Sequence, residues 1–448
     1  MSARPESSKS NIIFTIEPGS ALNGRLRVPG DKSISHRSIM LGSLAEGTTQ
    51  ISGFLEGEDS LATLKAFRQM GVEIEGPHRG RVTIHGVGMH GLKAPESPLD
   101  LGNSGTSMRL LSGLLAGQKF QCVLTGDESL SSRPMRRVTE PLLEMGASIG
   151  TTENGTAPLQ IPGNQTLHSF HYTMDVASAQ VKSCLLLAGM YAEGRTCVTE
   201  PAPTRDHTER MLGGFGYPVL RDDATVCIEG GGKLIATNVE VPADISSAAF
   251  FMVGASIAKG SDIVLEHVGT NPTRTGVINI LQQMGADLTL ENERVVSGEP
   301  VADIRVRSAA LKGIRIPEEQ VPLAIDEFPV LFVAAACAEG ETVLTGAREL
   351  RVKESDRIQA MADGLKILGV DARPTEDGMV IQGLGSEGLL GSGQVESHGD
   401  HRIAMAFAMA ALRATGPITI DNCANVNTSF PDFVGLASRT GLHIKSKT

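Results

Sequence analysis

An alternation of apolar and polar segments recurs six times along the chain. Each copy starts with a run rich in Ala, Leu and Met, passes through a Gly, and continues into a short β-branched run. The glycines are Gly47, Gly117, Gly194, Gly260, Gly340 and Gly416, and subtraction gives separations of 70, 77, 66, 80 and 76 residues. A run that is apolar on all sides predicts a buried helix, and the β-branched run predicts a strand.

The segments around these glycines define a repeating unit. The apolar runs are residues 39–45, 110–116, 184–192, 248–258, 330–338 and 403–414. In most copies a later amphipathic stretch stops at another Gly, as in Gln69-Met70-Gly71 and Gln283-Met284-Gly285, which fits a left-handed helix C-cap. The predicted unit is a buried helix, a strand, a surface helix and a strand, with extra strands between.

Six such units predict two similar domains of three units each. Units separated by 66 to 80 residues are too long for a solenoid of short repeats. A chain of 448 residues is also too long for one ordinary core. The switch between the domains is predicted near residues 241–244. The alternative is a coincidence of Gly-containing turns in a chain with 51 glycines.

The first turns of the predicted buried helices carry residues that favour anion binding. Backbone N–H groups at a helix N-terminus lack helical partners and attract negative charge. The Ser, Asn, Asp and Gly residues there are explained as ordinary N-caps. Lys32, Arg37 and Arg402 are not, because a cation in the first turn opposes the helix dipole. These cations therefore predict anionic ligands.

Charged loops offer a weaker signal of the same kind. They are residues 131–137, 204–207 and 351–357, and each contains at least one Arg. A charge run is usually a solvated surface. From the residues alone, a solvated face and a ligand contact are about equally well supported for each loop.

Composition narrows the class of function. The formal net charge of −11 argues against a general nucleic-acid binder, although a local cationic cluster can still bind anions. The sequence contains no Walker loop, HExxH motif or GxSxG motif. The polar N-terminus and the short apolar runs predict a cytoplasmic protein without a membrane partner.

The six cysteines do not form a recognisable framework. They are Cys122, Cys184, Cys197, Cys227, Cys337 and Cys423, and none belongs to a CxxC pair. We interpret them as small buried apolar residues in a reducing compartment. Neither a structural disulfide nor a metal site is expected.

Several sequence strings together resemble one enzyme family. They are PGDKSISHR from Pro29, LGNSGTSMRLL from Leu101, SSRPM from Ser131, ASAQVKS from Ala177, NPTRTG from Asn271, LRVKESDR from Leu350, DHRIAM from Asp400 and TSFPDF from Thr428. Residues 12–442 resemble the 3-phosphoshikimate 1-carboxyvinyltransferase family, most closely its bacterial subgroup with glyphosate-tolerant members.

The resemblance implies an α/β fold with two similar domains. Each domain has three βαβαββ units arranged as an inside-out α/β barrel, with helices inside and sheets outside. The implied domains are residues 31–243, and residues 12–30 together with 244–445. Residues 1–11 are expected to be a disordered tail. Ligands are expected to bind between the domains, and the enzyme is expected to be a monomer.

The resemblance also implies the substrates and the residues that bind them. Contacts to shikimate 3-phosphate are implied for Lys32, Ser33, Arg37, Ser178, Ala179, Gln180, Arg205, Asp326 and Lys353. Contacts to phosphoenolpyruvate are implied for Lys32, Gly105, Arg133, Gln180, Arg357 and Arg402. Each phosphate carries about −1.5 to −2 charge. A cluster of Lys and Arg residues suits two such ligands, because Arg binds carboxylate and phosphate with two parallel hydrogen bonds.

The implied reaction is addition followed by elimination. The 5-hydroxyl of shikimate 3-phosphate attacks phosphoenolpyruvate, and phosphate then leaves. Such a reaction needs an acid–base pair. Asp326 is assigned as base, Glu354 as proton donor, and Lys32 as the residue that stabilises charge on the bridging oxygen, with the division between Glu354 and Lys32 left open. No metal or organic cofactor is expected.

Two positions depart from the family pattern. Many relatives have a Lys immediately before the SFP string, where this chain has Thr428. The tolerant relatives have Ala where this chain has Gly105. One phosphoenolpyruvate contact is therefore expected to be missing or replaced, and glyphosate tolerance is in doubt.

Two other functions compete with this interpretation. A UDP-N-acetylglucosamine enolpyruvyl transferase has a similar fold, but it commonly uses a Cys in the loop equivalent to residues 131–137, which contains none here. A non-catalytic anion-binding protein on the same fold is the second alternative. The retained Lys32, Asp326 and Glu354 argue against it.

Overall fold

The computed structural model describes residues 11–448, and their chain divides into two compact units. The 30–242 unit comprises Gly30–Pro242 with the short segment Val295–Pro300. The C-terminal unit comprises Ala243–Arg294, Val301–Thr448 and the described residues up to Pro29. The domains predicted from the sequence include residues 295–300 in the second domain, within 244–445, whereas the structure groups them with Gly30–Pro242. The disordered tail that it predicts lies outside the described residues, except for Asn11.

The segment Val295–Pro300 is held in the 30–242 unit by polar contacts. Glu299 and His207 are both buried, and Glu299 Oε1 lies 2.7 Å from His207 Nδ1. The backbone N–H of Glu240 donates to Ser297 Oγ at 2.9 Å. The segment is the tip of a hairpin whose flanking strand residues belong to the C-terminal unit. The sequence pattern does not predict that the tip and the strands belong to different units.

The helices follow in chain order. The α-helices are α1 (Lys32–Leu44), α2 (Glu58–Gln69), α3 (Gly105–Ala116), α4 (Glu128–Ser132), α5 (Arg136–Glu144), α6 (Ala179–Gly189), α7 (His207–Gly214), α8 (Ile245–Ile257), α9 (Gly276–Gln283), α10 (Phe328–Cys337), α11 (Arg357–Ile367), α12 (His401–Ala410) and α13 (Phe433–Thr440). Short 3₁₀ turns occur at Glu318–Gln320, Arg348–Val352, Ala411–Arg413 and Cys423–Thr428.

The strands of the 30–242 unit form three sheets. The strands up to the unit boundary are β1 (Ile13–Ile16), β2 (Asn23–Leu26), β3 (Ala45–Ser52), β4 (Glu73–His78), β5 (Arg81–Val87), β6 (Leu99–Asp100), β7 (Cys122–Thr125), β8 (Leu159–Ile161), β9 (His171–Thr173), β10 (Arg195–Thr199), β11 (Val219–Asp222), β12 (Thr225–Glu229), β13 (Leu234–Ile235) and β14 (Val239–Glu240). Strands β1 and β2 belong to the C-terminal unit. The sheet orders are β13-β3-β5-β4 with β14 also on β3, β6-β7-β8, and β11-β12-β10-β9.

The C-terminal unit also has three sheets. Its further strands are β15 (Asp262–Gly269), β16 (Asp287–Val296), β17 (Glu299–Arg307), β18 (Glu339–Leu344), β19 (Asp371–Pro374), β20 (Met379–Leu384), β21 (Gly393–Glu396), β22 (Ile418–Asp421) and β23 (Ile444–Lys447), with the ends of β16 and β17 reaching the segment Val295–Pro300. The sheet orders are β21-β22-β1-β23, β16-β17-β15-β2 and β18-β20-β19.

The same pairing pattern recurs around each buried helix. In both units, the strand that follows a buried helix pairs in parallel along one edge and antiparallel along the other, and β3 has two short parallel partners, β13 and β14. In the 30–242 unit these strands are β3, β7 and β10. In the C-terminal unit they are β15, β18 and β22, with the parallel contact of β18 limited to isolated bridges. The repeat seen in the sequence is therefore a repeat of structure.

The six predicted buried helices are confirmed. Helices α1, α3 and α6 lie in the core of the 30–242 unit, and α8, α10 and α12 lie in the core of the C-terminal unit. Every residue of α8 and of α10 is buried, as expected for helices with no polar face.

The Gly stops of the surface helices are confirmed as left-handed caps. Gly71 follows α2 with φ of 85°, and Gly285 follows α9 with φ of 90°. Such a backbone conformation is unfavourable for residues with a Cβ atom.

The expectation that the chain has no disulfide is wrong. Cys197 and Cys227 are bonded, and their Cα atoms lie 4.1 Å apart. They are directly opposite each other on the antiparallel strands β10 and β12, on a half-buried face of the sheet. Their separation of 30 residues gives no sequence signal, whereas strand register places the two side chains together. The other four cysteines are buried and free, as expected.

No helix in residues 11–448 is both long enough and apolar enough to cross a membrane.

Candidate active site

The start of α1 brings a lysine to a buried carboxylate in the 30–242 unit. Asp31 caps the helix by accepting a hydrogen bond from Ile34 N at 2.9 Å. Lys32 is the first helical residue, and its Nζ donates to Asp59 Oδ2 at 3.0 Å. Asp59 lies in the first turn of α2 and is buried. The hydrogen bond to this carboxylate restricts where the Lys32 amine can point.

Arg37 is one turn further along α1, and its guanidinium is buried among neutral oxygens. Nε donates to Thr208 Oγ1 at 2.6 Å, one terminal nitrogen donates to Ser183 Oγ at 2.9 Å, and the other donates to Ser33 O at 3.0 Å. Burial lowers the pKa of Arg37 to about 10, and Glu209 and Asp31 oppose that fall. Arg205 lies near enough to lower this pKa further. Two cations held together favour a bound anion.

The start of α3 places a glycine beside two arginines. Ser104 caps the helix by accepting from Ser107 N, and Gly105 is the first helical residue. A Cβ atom on Gly105 would lie 2.8 Å from one terminal nitrogen of Arg109 and 3.1 Å from one of Arg133. Little room for a side chain therefore exists at this position.

Arg133 follows α4 and is held by polar contacts from the loop before α3. It donates to Asn103 Oδ1 at 2.7 Å and to Ser129 Oγ at 3.2 Å. Asn103 in turn donates from Nδ2 to both carboxylate oxygens of Asp127, at 3.0 and 2.9 Å. This network orients the Arg133 guanidinium through the neutral side chains of Asn103 and Ser129.

The start of α6 packs beside the start of α3. Ser178 accepts from Val181 N at 3.4 Å, and Ala179 is the first residue of the helix. Gln180 donates from Nε2 to Thr106 Oγ1 at 3.0 Å, which joins the first turns of the two helices. The residues assigned from the sequence to α1, α3 and α6 thus share one region of this unit.

In the C-terminal unit, Arg357 is the centre of a second charged cluster. This arginine is the first residue of α11 and is buried. It donates to Asp400 Oδ2 at 2.8 Å, to Glu354 Oε2 at 2.6 Å and to Asp326 Oδ1 at 3.3 Å. Although burial alone would lower the pKa of Arg357, the three carboxylates raise it well above its usual value. Arg357 is therefore a permanent cation.

Asp326 connects Arg357 to two further cations. Its Oδ1 lies 3.6 Å from Lys353 Nζ, and its Oδ2 lies 4.0 Å from a terminal nitrogen of Arg402. Arg402 also donates to the backbone oxygen of Asp326 at 3.1 Å. The structure thus gathers Asp326, Lys353, Glu354, Arg357 and Arg402, which the sequence analysis assigned to substrate binding and chemistry.

Asp400 supports two of these cations at once. It is completely buried, caps α12 by accepting from Arg402 N at 2.9 Å, and accepts from Arg357. Burial acts to raise the pKa of Asp400, but the adjacent Arg357 outweighs it and lowers that pKa. The carboxylate is therefore ionised, and it fixes the direction of α12 relative to the Arg357 side chain.

The hydroxyl group of Thr428 forms a hydrogen bond with the protein backbone. The residue is buried, and its hydroxyl donates to Asn425 O at 2.7 Å. Asn425 donates from its side chain to Gly399 O at 2.7 Å, in the loop that leads into α12. The residue at the position of the missing lysine thus supports the α12 loop.

Comparison with known proteins identifies the family. The family model "EPSP synthase (3-phosphoshikimate 1-carboxyvinyltransferase)" matches residues 16–436. The chain belongs to the EPSP synthase family. A 3-phosphoshikimate 1-carboxyvinyltransferase of Methylococcus capsulatus is 71% identical over 435 residues, covering 97% of this chain and 99% of that protein. One from Alkalilimnicola ehrlichii is 71% identical over 429 residues, covering 96% of each.

Solved structures show the EPSP synthase fold in relatives. A structure of EPSP synthase from Acinetobacter baumannii has a TM-score of 0.88 and 64% identity, and the match covers 98% of this chain and 100% of that one. The enolpyruvyl transferase NikO from Streptomyces tendae has a TM-score of 0.77 at 16% identity, covering 98% and 99% of the two chains. The second match establishes a shared fold alone. The expected enolpyruvyl transferase fold is confirmed.

Two residues that hold the charged motifs in place, Asp59 and Asp400, were not predicted from the sequence to have this role. Asp59 and Asp400 both sit at helix starts, where Asp is an ordinary helix-capping or first-turn residue. Their contacts with Lys32 and Arg357 span 27 and 43 residues. A charged partner at that distance leaves no local pattern, so only a folded chain reveals it.

Proposed function

We propose that this chain is a 3-phosphoshikimate 1-carboxyvinyltransferase. It transfers the enolpyruvyl group of phosphoenolpyruvate to the 5-hydroxyl of shikimate 3-phosphate and releases phosphate, in the biosynthesis of chorismate and aromatic amino acids. The observation that carries the proposal is the cluster around Arg357. There, two carboxylates that could act on protons, Asp326 and Glu354, are held against a buried cation.

Within the proposal, the two units contribute different residues to the substrates. Lys32, Ser33, Arg37, Ser178, Ala179, Gln180 and Arg205 of the 30–242 unit bind shikimate 3-phosphate, with Asp326 and Lys353 of the C-terminal unit contacting its hydroxyl groups. Phosphoenolpyruvate is bound by Lys32, Gly105, Arg133, Gln180, Arg357 and Arg402. The support is charge: both substrates carry a phosphate and a carboxylate, and most of these side chains are cations or lie at helix N-termini.

The first half of the proposed reaction is an addition. Asp326 accepts the proton of the 5-hydroxyl as its oxygen forms a bond to C2 of phosphoenolpyruvate. Glu354, which must be in its protonated form for this step, gives a proton to C3, which becomes a methyl group. The resulting tetrahedral carbon carries the methyl group, the carboxylate, the phosphate and the shikimate oxygen. Lys32 stabilises negative charge on the bridging phosphate oxygen.

The second half is an elimination that restores both acids. The methyl group returns a proton to Glu354, the C2–C3 double bond forms again, and the bond from C2 to the phosphate oxygen breaks. Phosphate leaves with that electron pair and takes up the proton from Asp326. Lys353 and Arg357 lie 3.6 and 3.3 Å from Asp326 Oδ1, and these contacts hold the proposed base in position. No metal or organic cofactor enters this scheme.

An assay of phosphate release tests the proposal. The purified chain is given phosphoenolpyruvate with shikimate 3-phosphate, and in parallel with UDP-N-acetylglucosamine. We expect phosphate release and an enolpyruvyl product only with shikimate 3-phosphate. Release only with the nucleotide sugar would support the sister transferase instead. Calorimetric binding of shikimate 3-phosphate without release from either acceptor would support a non-catalytic anion-binding protein.

We further propose a cytoplasmic monomer that is sensitive to glyphosate. The sequence resembles the subgroup with tolerant members, but it carries Gly105 where those members carry Ala. Analytical ultracentrifugation of the purified chain tests the monomer, and fractionation of the producing cells tests the location. A sedimentation coefficient that rises with protein concentration would contradict the monomer.

A further inference from the structure

The guanidinium of Arg37 is oriented by a closed ring of hydrogen bonds. Thr208 Oγ1 accepts from Arg37 Nε at 2.6 Å, and it lies 2.7 Å from Ser183 Oγ. Ser183 Oγ also accepts from a terminal nitrogen of Arg37 at 2.9 Å. Both hydroxyl-bearing residues are buried, with exposures of 1% for Thr208 and 0% for Ser183.

The ring fixes the direction of each hydrogen. Nε can only donate, so the Thr208 oxygen must accept from it, and the single Thr208 hydrogen is then directed to Ser183. The plane of the guanidinium is therefore set by two groups outside α1. A threonine offers this combination of acceptor and donor, whereas a valine of the same shape offers neither.

The ring leaves part of the guanidinium for a ligand. An arginine has five N–H hydrogens, and the contacts of Arg37 to Thr208, Ser183 and Ser33 use three of them. Among residues 11–448, none of these contacts ends on a carboxylate. The ring thus orients a buried cation through neutral oxygens, while Glu209 and Asp31 act on its charge only from a distance, and two N–H groups remain for an anionic ligand.

The ring residues come from the elements that carry other proposed shikimate 3-phosphate contacts. Ser183 lies on α6, which begins after Ser178, and Thr208 is the second residue of α7, three positions after Arg205. A buried ion triad joins the same two helices, since Lys182 Nζ lies 2.7 Å from Glu209 Oε1 and 3.0 Å from Glu200 Oε1. The positions of α6 and α7 are therefore fixed around Arg37.

We propose that Thr208, acting with Ser183, is a positioning residue for shikimate 3-phosphate. It sets the orientation of Arg37 and does not itself touch the substrate. The inference rests on the proposed function, because it assumes that Arg37 binds this substrate. It assigns to α7 a role in the affinity for shikimate 3-phosphate and none in the affinity for phosphoenolpyruvate.

Three single variants separate this role from a general effect on packing. Thr208→Val keeps the shape and removes the hydroxyl, and Thr208→Ser restores the hydroxyl. Thr196→Val is the matched control, because Thr196 is equally buried in the same unit and its hydroxyl has no hydrogen-bond partner among the described residues. Dissociation constants for shikimate 3-phosphate are measured by calorimetry, and KM for each substrate is measured with the other saturating.

We expect Thr208→Val to weaken shikimate 3-phosphate binding by roughly tenfold to a hundredfold, the effect of losing a hydrogen bond to a charged group. KM for phosphoenolpyruvate should change by less than about twofold from the wild-type value. Substitutions at contacts that share no partner have nearly independent effects. Thr208→Ser and Thr196→Val should bind nearly as tightly as the wild type. If Thr208→Val does not fold, Ser183→Ala takes its place with the same expectation.

The inference is overturned if Thr208→Val binds like the wild type, if Thr196→Val loses as much affinity, if Thr208→Ser does not restore binding, or if both KM values rise together. The activity of the wild-type chain distinguishes failure of this inference from failure of the proposed function. A wild-type chain that releases phosphate while Thr208→Val binds normally contradicts only the positioning role. A wild-type chain that neither binds nor turns over shikimate 3-phosphate contradicts the function itself.

Discussion

Arg357 and Asp400 form a buried ion pair in the C-terminal unit, with Arg357 Nε 2.8 Å from Asp400 Oδ2. The same carboxylate caps the helix that carries Arg402. Asp400 therefore holds two cations that the proposal assigns to phosphoenolpyruvate. Its effect on catalysis can be separated from its effect on the helix, because asparagine is also a good N-cap.

We expect Asp400→Asn to lower kcat/KM for phosphoenolpyruvate by about tenfold to a hundredfold, because Arg357 loses a charged partner worth roughly 1.5 to 3 kcal/mol. Steady-state kinetics measure the change. Asp244→Asn is the control, since Asp244 caps α8 and contacts Arg274 at 3.3 Å, and neither residue is among those proposed to bind substrate. Equal losses in the two variants would show that Asp400 acts only through helix stability.

Asp326→Asn and Glu354→Gln should each lower kcat much more than substrate affinity. A general acid or base contributes typically about 10²- to 10⁴-fold to the rate. Both variants keep the shape of the side chain beside Arg357. Single-turnover kinetics and calorimetric titration with shikimate 3-phosphate measure the two quantities separately. Glu319→Gln, at an exposed carboxylate of the same unit, is the control. Near-normal turnover in both site variants would remove these residues from the chemistry.

Gly105→Ala should reduce inhibition by glyphosate more than it reduces use of phosphoenolpyruvate. The added methyl group would lie 2.8 Å from an Arg109 nitrogen and 3.1 Å from an Arg133 nitrogen, so both guanidinium groups must shift. The added methyl group and the displaced arginines should raise the glyphosate inhibition constant roughly tenfold to a hundredfold, equivalent to about 1.4 to 2.8 kcal/mol. Phosphoenolpyruvate is a shorter molecule than glyphosate, so its binding should be weakened less.

The measurement is the glyphosate inhibition constant beside KM for phosphoenolpyruvate. Gly213→Ala is the control, because a Cβ atom there meets nothing within 4 Å and the residue also lies in a helix. If Gly105→Ala and the wild type were inhibited equally, position 105 would not control discrimination in this enzyme.

Lys182→Met should destabilise the protein by about 3 to 5 kcal/mol, because it leaves the buried carboxylates Glu200 and Glu209 without their lysine partner. Chemical denaturation measures the change in the free energy of unfolding. Lys233→Met is the control, since Lys233 pairs with Glu46 at 3.2 Å on the surface and such pairs contribute about 0 to 1 kcal/mol.

The triple variant Lys182→Met, Glu200→Gln, Glu209→Gln tests the cause. We expect it to be more stable than Lys182→Met alone, because uncharged side chains tolerate burial better than unpaired carboxylates. A triple variant no more stable than the single one would place the loss in packing and not in charge.

His36 should make stability fall as the pH drops below about 6.5. Burial, followed by the charges of Lys32 and Arg37, lowers the pKa of His36 well below its usual value. The residue is therefore neutral in the folded state, whereas the unfolded chain binds a proton below pH about 6.5. Its contribution to stability is fully present above that pH and is lost as pH falls towards the folded pKa.

Denaturation at pH 7.5 and 5.0 measures this effect. One proton changes the free energy of unfolding by about 1.4 kcal/mol per pH unit. The wild type should lose about 2 kcal/mol more between these pH values than His36→Gln does, by the same relation. His443→Gln, at an exposed position, should lose as much as the wild type. Equal losses in the wild type and His36→Gln would contradict a neutral buried imidazole.

The repeating unit, the buried helices and the family could all be predicted from local patterns of residues. The helices α8 and α10 are apolar on every side, and nothing but burial stabilises such helices in water. Gly71 and Gly285 marked helix ends because a left-handed cap favours glycine. Lys32, Arg37 and Arg402 stood out because they oppose the dipoles of their own helices. Each of these signals is local, so it is readable from neighbouring residues.

Contacts between residues far apart in the sequence could be seen only in the folded chain. Cys197 and Cys227 are bonded because the register of two strands places them opposite each other, and no spacing rule predicts that register. Asp400 holds Arg357 across 43 residues, and Thr208 holds Arg37 across 171 residues. The sequence indicated where an anion is expected to bind, because a cation in the first turn of a helix opposes the helix dipole. The partners of that charge depend on chain packing over long separations, which the local pattern does not encode.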